Sequence, residues 1–217
     1  MKASSPESLA QATKFERFLI LYKRKLMLAS FLGAFLVTAV SMPPSGPIRQ
    51  GPQSFRMQTA RQINLCLFAY AGDHSGKYPT GKSSTDIFQQ LIDQQYVNDP
   101  QLFYFPMPGK TKAVDNKLKP ENVCFDVTDG VLPGDPDALP IVFSTGYRIE
   151  YVKGGKAHLL PNGDPNGIAI SFKSNSAAFL RAQPDGIPLF PPYAGSVLDF
   201  DPKGRTYRQL TPDGSLQ

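Results

Sequence analysis

The side chains that could do chemistry fall into a few short stretches. Asp126, Asp129, Asp135 and Asp137 lie within twelve residues, together with Gly130 and Gly134. Oxygen-rich loops can hold Ca²⁺. The spacing is not that of an EF-hand, and Pro133 and Pro136 restrict the chain, so the four aspartates read as turn formers. His74 follows Asp73 in a polar turn. A metal or general-base role would need partners that the sequence does not supply, so His74 reads as a solvated turn residue. His158 stands in a strand-like pattern and reads as exposed or half-buried. With only two His and no Trp, there is little material for His-based catalysis or a multi-His metal site. Ser144, Ser171 and Ser196 lack the G-x-S-x-G context of a nucleophile elbow. Lys153-Gly154-Gly155-Lys156 lacks the spacing and following helix of a phosphate loop, and reads as a charged hairpin. No catalytic, cofactor-binding or metal residue is therefore assigned. A non-enzymatic protein without a cofactor is expected.

Two cysteines, Cys66 and Cys124, remain. In an oxidising compartment they could form a disulfide. They could equally be two small buried hydrophobes, since a bond needs Cα atoms within about 7 Å. Phe103-Tyr104-Phe105, with Pro106 and Pro108, reads as core filling, with a contact surface as the other use of such aromatics. Phe190-Pro191-Pro192-Tyr193 reads as a docking loop or a packed connection.

These residues must be positioned by regular elements. Phe55, Ala60, Ile63, Leu67 and Tyr70 recur at helical steps, with Arg56, Arg61, Gln62 and Asn64 on the polar sides. The pattern predicts a helix over Gln53 to Ala71, ended by Gly72 as its C-terminal cap. A second helix is predicted from Ser84, as its cap, to Val97, with Ile87, Phe88, Leu91, Ile92 and Tyr96 on one face. Lys110 to Asn122 and the stretch from Asp126 to Pro140 read as loops. A two-residue period then begins. Tyr147, Ile149 and Tyr151 alternate with Arg148 and Glu150, and Gly154-Gly155 turns the chain into Ala157 to Leu160. Ile168, Ile170 and Phe172 turn through Lys173 to Ser176 into Ala177 to Leu180. Val197 to Phe200 and Thr206 to Leu210 close the series. Helices first and strands afterwards predict an α+β domain with a helix on one face of an antiparallel sheet.

The N-terminal region has its own signature. The chain has 217 residues and a net charge of +5, but residues 1–25 carry six basic and two acidic side chains, or +4. The remainder is only +1, so no nucleic-acid partner is expected. Leu26 to Met42 is an uncharged apolar run of 17 residues, about 25 Å long as a helix. That is the short limit for a membrane span, with Lys23, Arg24 and Lys25 able to snorkel at its start. It reads as a retained single-span anchor, with a cleaved signal peptide ending at Ala39 as the alternative. The positive-inside rule puts the N-terminus in the cytoplasm and the rest outside. Residues 43–52, with Pro43, Pro44, Pro47 and Pro52, form a linker that breaks any helix. The exported domain then occupies residues 53–217.

Three stretches carry a resemblance to the bacterial pseudopilin and type IV pilin-like family, particularly the protein G-like subunits of type II secretion and the divergent members with an H-X9-DG element. ARQINLCLFAYAGDHSGKYP (60–79) resembles that family's N-terminal helix running into an Asp-x-x-Gly-Lys-[Tyr/Phe]-Pro turn. DIFQQLIDQQYVNDPQLFYFP (86–106) resembles its short second helix, and GIAISFKSNSAAFL (167–180) its late hairpin. The segment Lys14-Phe15-Glu16-Arg17-Phe18 lacks the Gly at which prepilin peptidase cuts. What the resemblance implies is an N-terminal membrane helix, then a pilin-like domain with a long helix packed on a small antiparallel sheet. It also implies a single-pass protein of the bacterial inner membrane with a periplasmic domain, whose partners are the membrane and other pilin-like or secretion-system subunits. An exported binding or structural domain with no filament role is the alternative.

Overall fold

The computed structural model of the chain describes residues 51–189 and 202–215. The basic segment 1–25, the apolar run 26–42, nearly all of the linker, Phe190 to Tyr193, Ser196 and the predicted strand Val197 to Phe200 lie outside the described residues. The chain divides after Arg49, and the fold below is that of the unit Gln50–Gln217.

Helix α1 spans Pro52–Asp73. Pro52 suits the first turn, where its missing N–H would have no helical partner. The helix runs through Gly72 and ends at Asp73, with His74 as its C-terminal cap. There His74 N–H donates to Tyr70 O and Ala71 O, and Gly76 N–H reaches back to Ala71 O at 2.7 Å. Ser75 (φ 55°) and Gly76 (φ 81°) take the left-handed conformation this ending requires. The cap expected at Gly72 is thus corrected to the turn after His74. The buried face of α1 is Thr59, Ala60, Ile63, Asn64, Leu67, Tyr70 and Ala71. It differs from the expected one at both ends of the polarity scale. Asn64 is buried, whereas Phe55 is 51% exposed.

Helix α2 spans Ser84–Asp93, four residues shorter than expected. Its cap is Ser83, whose Oγ accepts from Asp86 N–H at 3.1 Å. Ile87, Phe88, Leu91 and Ile92 are buried. A 3-10 turn at Pro100–Phe103 follows, capped by Asp99. Phe103 stacks on Phe88 with ring centroids 4.5 Å apart, and Phe105 meets Phe125 edge-on at 5.3 Å. These aromatics fill the core.

Among the described residues nine strands follow: β1 Phe125–Asp129, β2 Pro140–Ser144, β3 Tyr147–Ile149, β4 Lys156–Leu159, β5 Gly167–Phe172, β6 Ala177–Arg181, β7 Ile187–Pro188, β8 Arg208–Thr211 and β9 Gly214–Ser215. They form a six-stranded sheet of order β6-β5-β2-β1-β8-β9 and a three-stranded sheet of order β3-β4-β7. All pairings are antiparallel. α1 lies against β2, β5 and β6, and α2 against β1 and β8. Phe125, Val127 and Leu210 point into the core on that side. A second core, with Phe143, Tyr147, Ile168, Ile170 and Leu180, lies between the two sheets.

The expected fold class is corrected here. Among the described residues there are two α-helices, and none is long and apolar enough to cross a membrane. α1 carries Arg56 and Arg61 and a series of glutamines between its apolar residues. The single small sheet of the pilin-like expectation is replaced by two sheets with nine strands between them. The difference arises at β1, which lies almost wholly in the stretch read as a loop, and at β2, which begins at the last residue of that stretch and continues through residues assigned to no element. β2 is buried on both faces, so it lacks the alternation that marks a half-exposed strand.

Candidate interaction surface

The four aspartates do not converge. Asp126 is in β1 and fully buried. Its Oδ2 accepts from Gln209 Nε2 at 2.7 Å. Gln209 Nε2 also donates to Tyr147 O at 2.6 Å, and Gln209 Oε1 accepts from Ile149 N–H at 2.9 Å. Burial pushes the Asp126 carboxyl up to about 7. Gln209 ties the two sheets together, and the buried Asp126 carboxyl holds its amide from within the same sheet. Asp129, at the end of β1, pairs with Arg208. Asp135 accepts from Leu132 N–H at 2.7 Å, as a turn former does, and pairs with Arg205. Asp137 is 79% exposed and 4.0 Å from Lys173 Nζ. The reading of all four as turn residues is thus corrected for Asp126 and Asp129, which are strand residues. Among the described residues, no three His, Cys, Asp or Glu gather as metal ligands.

The other candidates are held separately. His74 stacks on Tyr70 at 3.9 Å, with Nδ1 2.8 Å from Tyr70 O. His158 Nε2 lies 3.0 Å from Glu150 Oε1 across the β3–β4 hairpin. Ser144 Oγ accepts from Ala169 N–H, and Ser171 Oγ from Asn64 Nδ2, both in the core. Lys153, Gly154 and Gly155 lie in the β3–β4 turn, and Lys156 opens β4. Cys66 and Cys124 are free thiols. Cys124 Sγ lies 3.3 Å from Phe105 O. Burial pushes both thiols up, which keeps them protonated and poor nucleophiles.

Among the described residues, several large apolar side chains stand open on the surface. Phe55, Leu65 and Phe68, all on α1, are 51%, 48% and 60% exposed. Leu65 and Phe68 border a groove of about 720 Å³ whose other walls include Tyr78, Pro133 and Lys173. Phe55 borders a second, of about 540 Å³, with Cys66, Tyr96 and Leu102. Lys173 Nζ is already held by Pro133 O and Asp135 O, so its charge is fixed at the wall. Large apolar side chains beside open grooves are suited to protein contact. The sequence held one signal of this surface. Leu65 stands two residues from both Ile63 and Leu67, which on a helix places it opposite the face they define. The period of the buried face carries no information about that opposite side.

Comparison with known proteins gives no match: no protein-family model, no curated protein and no solved structure matches this chain.

Proposed function

We propose that the unit Gln50–Gln217 is a non-catalytic protein-contact domain, carried outside the cytoplasm behind the apolar run 26–42. Its work is protein–protein contact in a secretion or pilus-like assembly at the bacterial inner membrane. The observation that carries the contact reading is the exposure of Phe55, Leu65 and Phe68 on one helix beside two open grooves. The placement rests on the charge asymmetry around residues 26–42. The prolines of residues 43–52 favour the second form of this reading, a binding domain detached from any filament.

The test is site-specific photo-crosslinking in cells that make the full chain. Crosslinkers at Phe55 and Leu65 should capture a discrete partner protein, and one at exposed Lys117 should not. Equal capture at all three positions, or none, overturns the contact reading. A reporter fused after Gln217 should be active outside the cytoplasm; activity confined to the cytoplasm overturns the placement.

A further inference from the structure

Among the described residues the two sheets have four outer edges, and three of them are closed to another strand. β9 and β7 are two residues long, and β7 ends in Pro188. On β3, Leu160 N–H donates to Gly146 O and Glu150 N–H to Lys156 O on the side of β4. Tyr147 and Ile149 therefore point their backbone groups outward, and Gln209 occupies both Tyr147 O and Ile149 N–H. Short edges, proline and covering side chains are the usual ways of blocking strand addition.

β6 has none of these. It is five residues long, contains no Pro and ends the six-stranded sheet. Phe172 N–H donates to Ser176 O, and Ala182 N–H to Asn166 O. With the register Ile168↔Leu180 and Ile170↔Ala178, the even-numbered residues of β6 bond to β5. Ala177, Phe179 and Arg181 then point their N–H and C=O groups away from the sheet, and among the described residues nothing pairs with them. Above this edge runs α1. Asn64 donates to Phe172 O at 2.7 Å. Met57, Arg61 and Phe68 share its flank by helical spacing. Arg61 and Arg181 are exposed and make no ion pair among the described residues.

We infer that the outer edge of β6 takes an extended segment of a partner polypeptide as a seventh strand, with apolar side chains at alternate positions under Phe68 and acidic residues beside Arg61 and Arg181. A row of backbone donors and acceptors selects an extended chain, and the pockets beside it select side chains. A second copy of this chain fits less well. Antiparallel pairing centred on Phe179 would gather Arg61 and Arg181 of both copies along one seam with no anion between them.

This inference deepens the protein-contact reading and rests on it. The test uses the full chain in detergent micelles and a synthetic peptide of alternating valine and threonine with glutamate at both ends. Amide exchange at Ala177, Phe179 and Arg181 should be fast in the chain alone and slow at least about tenfold with saturating peptide. The same peptide methylated at alternate amide nitrogens should not protect them. Ala177→Pro removes an outward N–H at an edge position where Pro is tolerated and should abolish protection. Arg61→Glu with Arg181→Glu should weaken binding about tenfold. Amides already protected in the chain alone mean that another segment or a second copy covers the edge, and overturn the inference. Absence of protection, or equal binding of the methylated peptide, overturns it as well. If crosslinks at Leu65 persist in that case, the contact reading survives without the edge; an edge protected by peptide with no crosslinks reverses the outcome.

Discussion

On one face of the six-stranded sheet, α1 and α2 press Ile63, Leu67, Phe88 and Leu91 onto Phe125, Val127 and Leu210. On the other face the β3-β4-β7 sheet is joined partly by apolar contact and partly by Gln209, which connects Asp126, Tyr147 and Ile149. The helical face is held mainly by shape and volume, with the Asn64 hydrogen bonds and the Arg56–Asp164 ion pair beside them. Against the effect of burial, the Asn166 donors and Arg56 hold the Asp164 carboxyl below its usual range, so the strength of this face should not depend on pH near neutrality. The sheet–sheet face contains a titratable group in its centre. Gln209 spends both its amide hydrogens and its oxygen there, leaving no slack for a change of partner. The same central sheet thus carries one tolerant junction and one that senses protonation.

The comparison breaks most severely if charge is placed in the helical face. Ile63→Asp should cost more than about 5 kcal/mol, because the new carboxylate is buried without a partner. Urea unfolding should show a largely unfolded chain at neutral pH. A folded variant with a small loss would mean that α1 is loosely seated.

Next in size is the pH response of the other face. Asp126 is raised to about 7 by burial, against hydrogen bonds from Thr145 and Gln209 and then the Lys110 charge, which lower it, while Asp213 raises it least. The unfolded carboxyl ionises near 4, so between about pH 4 and 7 the folded state holds a proton that the unfolded state has released. Stability from this group is full below about pH 4 and declines as pH rises through 7, by on the order of 4 kcal/mol. Asp126→Asn should flatten that slope and stabilise the fold at pH 8. An unchanged slope in the variant would remove Asp126 as its source.

Smaller effects sharpen the boundary of the helical face. Asn64→Ala should cost about 1–3 kcal/mol, since it leaves Phe172 O without the Asn64 donor in the core. At the exposed positions, Phe68→Ala and Arg61→Ala should each cost under about 0.5 kcal/mol. A large loss from Phe68→Ala would show that Phe68 serves the fold of the domain rather than a partner.

Elements made by near neighbours were legible in the chain. The helical repeat located α1 and α2 to within a few residues, and Gly154-Gly155 and Lys173 to Ser176 marked two of the tight hairpins, though not the β8–β9 one. Their determinants lie a few residues apart, as turn chemistry and helix period require. β1 was not legible, because it pairs with β8 some eighty residues later and carries Asp126 and Thr128 on its second face. Asn64 reads as a surface residue until Ser171 and Phe172, 107 and 108 positions away, supply its partners. The open edge of β6 is a property of strand order, which no local pattern encodes. By itself the sequence determined the charge asymmetry of its first 42 residues, the local helices and hairpins, and the lack of a catalytic motif. Only the tertiary structure decided which polar groups are buried, which apolar ones remain outside and which sheet edge stays open, because each depends on contacts between residues far apart in the chain.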